Sequence, residues 1–226
     1  MIGGELWPML INYRSTFLCL ALFCILAPTV SAAVVVNFAG LRDLEPVFGF
    51  YTGSFGGLGS GPGPNSGILF SPGFLVLRER QAGGGGFFVN EPSPTSVLFP
   101  NPGDLWINVP GGFTGSFAFS YSASVPGVIR IFDQPNGGGN LLASIATTRQ
   151  FDGNNCSGDV YCNWTAASAT FAGVARSVDF SGGLFGALYD DLTFGEAASQ
   201  VPEPSSVILT SAGLLLFAAA RSKRGW

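Results

Sequence analysis

Between residues 33 and 196 no stretch keeps apolar residues at a sustained helical spacing. Short β-rich runs alternate instead with clusters of Gly, Pro and Asn, drawn from 33 Gly and 15 Pro in 226 residues. That rhythm constrains the fold more than any other feature. It predicts strands over 34–39, 68–71, 74–78, 96–99, 105–109, 115–123, 128–133, 141–147, 167–172, 176–181 and 186–194. Turn segments over 56–67, 83–86, 101–103, 136–140 and 152–158 separate them. Within Ser116–Ser122, Phe117, Phe119 and Tyr121 share one face, and Ala118, Ser120 and Ser122 share the other. Val178 and Phe180 oppose Ser177 and Asp179 in the same way. The expectation is an all-β, single antiparallel β-sandwich over residues 33–196, with the aromatic residues in its core.

Composition excludes several functions. The chain contains no His, so it can build neither a Ser-His-Asp triad nor a His-ligated zinc site. Charged residues make up 11% of the chain, less than half the roughly 25% of an ordinary domain. Between residues 33 and 196 the cations are all Arg, and acids outnumber them two to one. Such a surface does not neutralise phosphates, so nucleic acid is not an expected partner. The 56–67 segment lacks the Lys-Ser/Thr pair of a phosphate loop and opens no helix, so it reads as a flexible loop.

The two ends read as addresses. Residues 1–32 have the parts of a signal peptide: Arg14, an apolar run over 17–26, and Val30-Ser31-Ala32 ahead of Ala33. The run is short of the roughly 20 residues of a membrane span. Cleavage between Ala32 and Ala33, by signal peptidase at the Sec translocon, is the expectation. At the other end, residues 197–204 form a linker ending in Val201-Pro202-Glu203-Pro204, and Ser205 opens a segment over 205–226. That segment has an apolar stretch at 207–220 followed by Arg221, Lys223 and Arg224. An apolar helix followed by cations is a stop-transfer arrangement, here a transmembrane sorting helix. The prolines on either side of Glu203 keep that tripeptide extended, as a protease requires.

The motif Val201-Pro202-Glu203-Pro204-Ser205, the apolar helix and the terminal basic cluster together resemble the PEP-CTERM sorting signal of Gram-negative, exopolysaccharide-producing bacteria. The resemblance implies that an exosortase in the inner membrane cuts near Pro-Glu-Pro. It also implies transient inner-membrane anchoring, followed by delivery to the cell surface or extracellular matrix.

Two cysteines remain in the region between the termini, Cys156 and Cys162, and an exported pair so spaced is most simply a disulfide. The closing run Tyr189-Asp190-Asp191-Leu192-Thr193-Phe194 resembles the last strand of jelly-roll domains found in PEP-CTERM proteins and carbohydrate-binding modules. Alternation groups Leu188, Asp190, Leu192 and Phe194 on one face, which puts Asp190 on the apolar side, where a carboxylate needs partners. The resemblance implies a structural Ca²⁺ at Asp190, aided by Asp43 or Glu45 since Ala39 stands where an acid is expected. Alternatively Arg42 or Arg130 pairs with Asp190, or Asp190 is exposed at a strand end. No other cofactor is expected.

Three function classes follow. The first is a non-enzymatic surface or matrix protein sorted by exosortase. The second is a carbohydrate-binding module for extracellular polysaccharide, with Tyr161 and Trp164 beside the cysteine loop as sugar-binding candidates ahead of Trp106 and Tyr121. The third is a hydrolase, disfavoured because the one adjacent pair of acids in the domain, Asp190 and Asp191, should point to opposite faces of a strand.

Overall fold

The computed structural model describes residues 33–150, 158–183 and 186–195. The expected signal peptide, Cys156, and the expected linker and C-terminal sorting segment lie outside the described residues. Among those described, no helix is long and apolar enough to cross a membrane.

The domain is all-β, and every ladder between its strands is antiparallel. The strands are β1 (Val34–Val36), β2 (Leu69–Phe70), β3 (Phe74–Arg78), β4 (Ser96–Pro100) and β5 (Trp106–Ala123). They continue with β6 (Gly127–Phe132), β7 (Leu141–Thr147), β8 (Thr165–Asp179) and β9 (Ala187–Phe194). Their order in the sheet is β3-β4-β9-β5-β8-β6-β7, with β1 on β9 and β2 on β5.

Two long strands organise this sheet. The runs 105–109 and 115–123 join into the 18-residue β5, and 167–172 and 176–181 into the 15-residue β8. The first part of β5 pairs with β2 and the end of β8, while its last part pairs with β9 and the start of β8. β6 then pairs with the end of β8, at Arg130↔Asp179 through Phe132↔Ser177. The same two strands therefore serve both halves of the sheet, and they bend where their register shifts between Asn108 and Gly115.

The bend brings the aromatic residues together. Phe180, just after β8, meets Phe74 of β3 at 5.6 Å between ring centroids and Tyr189 of β9 at 4.9 Å, both edge-on. It also touches Phe117 and Phe119 of β5. Phe117, Phe119, Tyr121 and Phe180 are buried in the main core, as the alternation predicts. Edge-to-face pairs of this kind add about 0.5–1.5 kcal/mol each beyond their area burial. A second, smaller cluster of Phe88, Val97 and Leu188 lies apart from the main core.

One expectation about β9 is overturned. Leu188 belongs to the second cluster, whereas Tyr189, Leu192 and Phe194 belong to the main core. Asp191 has φ 49°, and Ala118 and Ser120 of β5 face Thr193 and Asp190, so two residues of β9 oppose one of β5. This bulge shifts the alternation by one residue, so Asp190 does not share a face with Leu192 and Phe194.

Candidate functional site

The inward row of β3 begins with Phe74 and Val76, both fully buried in the main core, and its next position is Arg78. Across the ladder, Val76 faces Leu98 and Arg78 faces Ser96. The apolar core thus gives way to polar side chains at the end of the β3–β4 ladder. There a cavity of about 510 Å³ opens. Its polar lining comes from Arg42, Ser60, Arg78, Thr95 and Ser96, and Gly40, Gly59 and Gly61 expose backbone there.

Acidic side chains hold the walls. Glu45 is fully buried, and its carboxylate accepts hydrogen bonds from Arg42 N (2.7 Å), Leu58 N (2.9 Å), Ser60 N (3.0 Å) and Ser60 Oγ (2.5 Å). Burial pushes its pKa up, but those donors outweigh burial and hold it below the ordinary value. Glu45 thereby ties the 39–42 segment to the 58–61 segment, and the predicted flexible loop has a charged anchor. Asp43 accepts from Arg78 N (2.8 Å) and Gly85 N (3.0 Å).

The third wall, 94–96, is secured from β9. Asp190 is fully buried; its Oδ2 accepts from Ser93 N (2.7 Å) and its Oδ1 from Asp191 N (2.8 Å). Ser93 Oγ donates to Asp191 Oδ1. Asp190 and Asp191 were expected to point to opposite faces; the bulge at Asp191 turns both carboxylates onto Ser93. Burial pushes the Asp190 carboxyl up to about 7; the backbone donors pull against that, and the charges of Asp191 and Glu91 add to it.

Neither arginine proposed for Asp190 reaches it. Arg42 donates to Leu58 O at 3.0 Å, and Arg130 pairs with Asp179 at 3.5 Å. Asp43 and Glu45 bind the backbone donors named above rather than joining Asp190. Among the described residues no group of three or more acids or cysteines converges to hold a metal ion.

The aromatic candidates for sugar binding differ in their surroundings. Trp164 is half-buried, its Nε1 donates to Val89 O at 3.0 Å, and its ring meets Phe88 edge-on. Tyr161 is also half-buried and packs against the second cluster. Tyr121 is in the core, and Trp106 stacks edge-on against Phe132 under Gly137. More exposed aromatic rings lie at Phe48, Phe55 and Phe87, the last covered by Arg80 at 4.8 Å. Cys162 is buried, and its proposed partner Cys156 lies outside the described residues.

Sequence reasoning missed Arg78, Thr95 and Ser96. The signal was present: in Phe74-Leu-Val-Leu-Arg78, strict alternation puts Arg78 on the face of Phe74 and Val76. An arginine on an inward row marks the place where the core stops.

No family model matches the chain, and no curated protein matches it. Solved structures similar to it include CsCBM6-3 from Clostridium stercorarium in complex with cellobiose, at 18% identity and a TM-score of 0.35. That match covers 56% of this chain and 85% of the other. A second is a family 6 carbohydrate-binding module whose binding sub-sites were dissected by crystallography and calorimetry. It is 16% identical, with a TM-score of 0.35, covering 57% of this chain and 92% of the other.

Proposed function

We propose that the β-domain is a non-enzymatic polysaccharide-binding module of an exported protein, which an exosortase delivers to the cell surface or extracellular matrix. The observation that carries the binding half is the open polar cavity of about 510 Å³ beside Arg78 and Ser96. Its size falls within the roughly 300–1,000 Å³ of small-molecule sites. Its lining of hydroxyls, guanidinium groups and glycine backbone offers the hydrogen bonds that a polyhydroxylated chain requires. The routing half is supported by the order of Val201–Ser205, the apolar stretch and Arg221, Lys223 and Arg224.

The carboxylates of Asp190 and Asp191 both hold Ser93, a positioning role that favours binding over hydrolysis. Affinity electrophoresis of the full chain through gels containing neutral or acidic polysaccharides tests the reading. Retardation by at least one polymer, with no reducing ends released from it, is the expected result. Unchanged mobility across the whole panel would overturn the binding function and leave a surface protein without a glycan ligand.

A further inference from the structure

We propose that the cavity at the end of the β3–β4 ladder recognises the carboxylate of a uronic acid, so that the polymer bound is an acidic polysaccharide. This rests on the polysaccharide-binding reading and narrows its ligand class.

The argument begins with the partners of the cations. Acids outnumber Arg two to one in the domain, so nearly every guanidinium could have an acidic neighbour. Arg80 pairs with Asp159 at 3.3 Å and Arg130 with Asp179 at 3.5 Å. Arg176 donates to Asp133 O, and Arg149 also has a partner. Among the described residues no carboxylate pairs with Arg42 or Arg78, and both line the same cavity. Arg42 has one backbone acceptor, Leu58 O, and the Arg78 guanidinium, half-buried, has none among the described residues. Two guanidinium groups without a carboxylate partner thus line one polar space, while the acids in its walls, Glu45 and Asp43, bond backbone N–H groups instead.

The nearby acids do not supply an anion for this pair. Glu45 and Asp43 turn their oxygens to backbone N–H groups and Ser60 Oγ, as described above. The hydroxyls facing the cavity remain available. Thr95 and Ser96 line the cavity and make no side-chain hydrogen bond among the described residues, Thr95 half-buried and Ser96 buried. Ser60 donates to Glu45, so its oxygen is free to accept from a ligand hydroxyl.

The chemistry then selects the ligand. A guanidinium fork matches a carboxylate in plane and spacing, and the bond strengthens away from water. A bare ion would satisfy the charge and leave Ser60, Thr95 and Ser96 idle. A uronate residue engages both sets, with its carboxylate at Arg42 and Arg78 and its ring hydroxyls at the three side-chain hydroxyls. Gly59 faces open space, and a Cβ there would meet nothing within 4 Å, so a chain can approach the backbone from that side.

The test is affinity electrophoresis of the full chain through polygalacturonate, alginate and neutral dextran gels, with Arg78→Gln, Arg42→Gln and a control, Arg176→Gln. The expected result is retardation by an acidic polymer that weakens about tenfold or more in Arg78→Gln and Arg42→Gln and is unchanged in Arg176→Gln. Free galacturonate should relieve it, and inorganic phosphate at equal ionic strength should not. Relief by phosphate at equal concentration would assign the site to anions in general and overturn the uronate specificity. Equal retardation of wild type, Arg78→Gln and Arg42→Gln would overturn the site. Retardation by dextran alone would leave the polysaccharide reading standing and overturn this one, and no retardation by any polymer would remove both. Arg42 is exposed, so Arg42→Gln carries the test if Arg78→Gln does not fold.

Discussion

Acidic residues hold the cavity walls, and one of them makes stability depend on pH. The Asp190 carboxyl, pushed up to about 7 by burial and by its acidic neighbours, holds its proton in the folded chain well above the ordinary carboxylate range. Once unfolded, it ionises near its ordinary value. Between those two values the folded state binds more protons, so stability falls as pH rises through the window and levels off above about 7. Glu91 is raised by burial and contributes with the same sign. Thermal melts should therefore show a lower Tm at pH 8 than at pH 5. Asp190→Asn, which resembles the protonated acid, should flatten most of that slope, and an undiminished slope in the variant would assign it elsewhere. A calcium ion at Asp190 would act in the opposite direction, and a fall in Tm on adding EDTA at pH 8 would support one there. The need of Asp190 for partners was legible in the sequence. Their identity was not, because Ser93 lies 97 residues away and reaches it only through the folded chain.

At the scale of elements, the strand at 74–78 and the strand at 141–147 were legible to the residue, because alternation and flanking turn residues agree there. β5 and β8 were each read as two strands, for one physical reason. Pro110-Gly111-Gly112 and Ala172-Gly173 are turn signals in isolation, yet here they bend strands that continue through them. Gly112 has φ +74° and Gly173 φ +90°, conformations that cost a residue with a side chain. Space is also lacking at Gly112, where a Cβ would lie 2.3 Å from Val174 Cγ1 and 3.3 Å from Ala175 O. Gly112→Ala should therefore destabilise the domain by about 1–3 kcal/mol, through backbone strain and displacement of Val174. At Gly173 a Cβ would meet nothing within 4 Å, so Gly173→Ala should cost less. Chemical denaturation of the two variants ranks them; equal midpoints would show that the close packing at Gly112 gives way freely. The bulge at Asp191 was hidden for a related reason, since a one-residue insertion leaves no mark in an apolar pattern that reads smoothly on either side.

For the whole molecule, the domain and its proposed address make separate demands, and one measurement reads both. A binding domain can meet its polymer either released from the membrane or tethered to it, and the proposed cut decides which. Under the proposed routing, Val201–Ser205 is the point of release, and the cations Arg221, Lys223 and Arg224 are to hold the tail at the membrane until the cut. Intact mass spectrometry of the protein recovered from the envelope and the medium of its host should find a chain starting at Ala33 and ending between Pro202 and Pro204. In the same spectrum, pairing of Cys156 with Cys162 appears as a chain lighter by two hydrogens until it is reduced. A mass that still includes residues 207–226 would overturn the exosortase reading and make the tail a standing anchor. The two results also differ for the cavity: a released module must hold its polymer through its own affinity, whereas a tethered one gains effective concentration from its neighbours on the same surface. Weak single-site binding therefore suits an anchored chain, and a processed chain found fixed in the matrix requires strong retention at Arg42 and Arg78 or a covalent attachment, which the same spectrum reports as added mass.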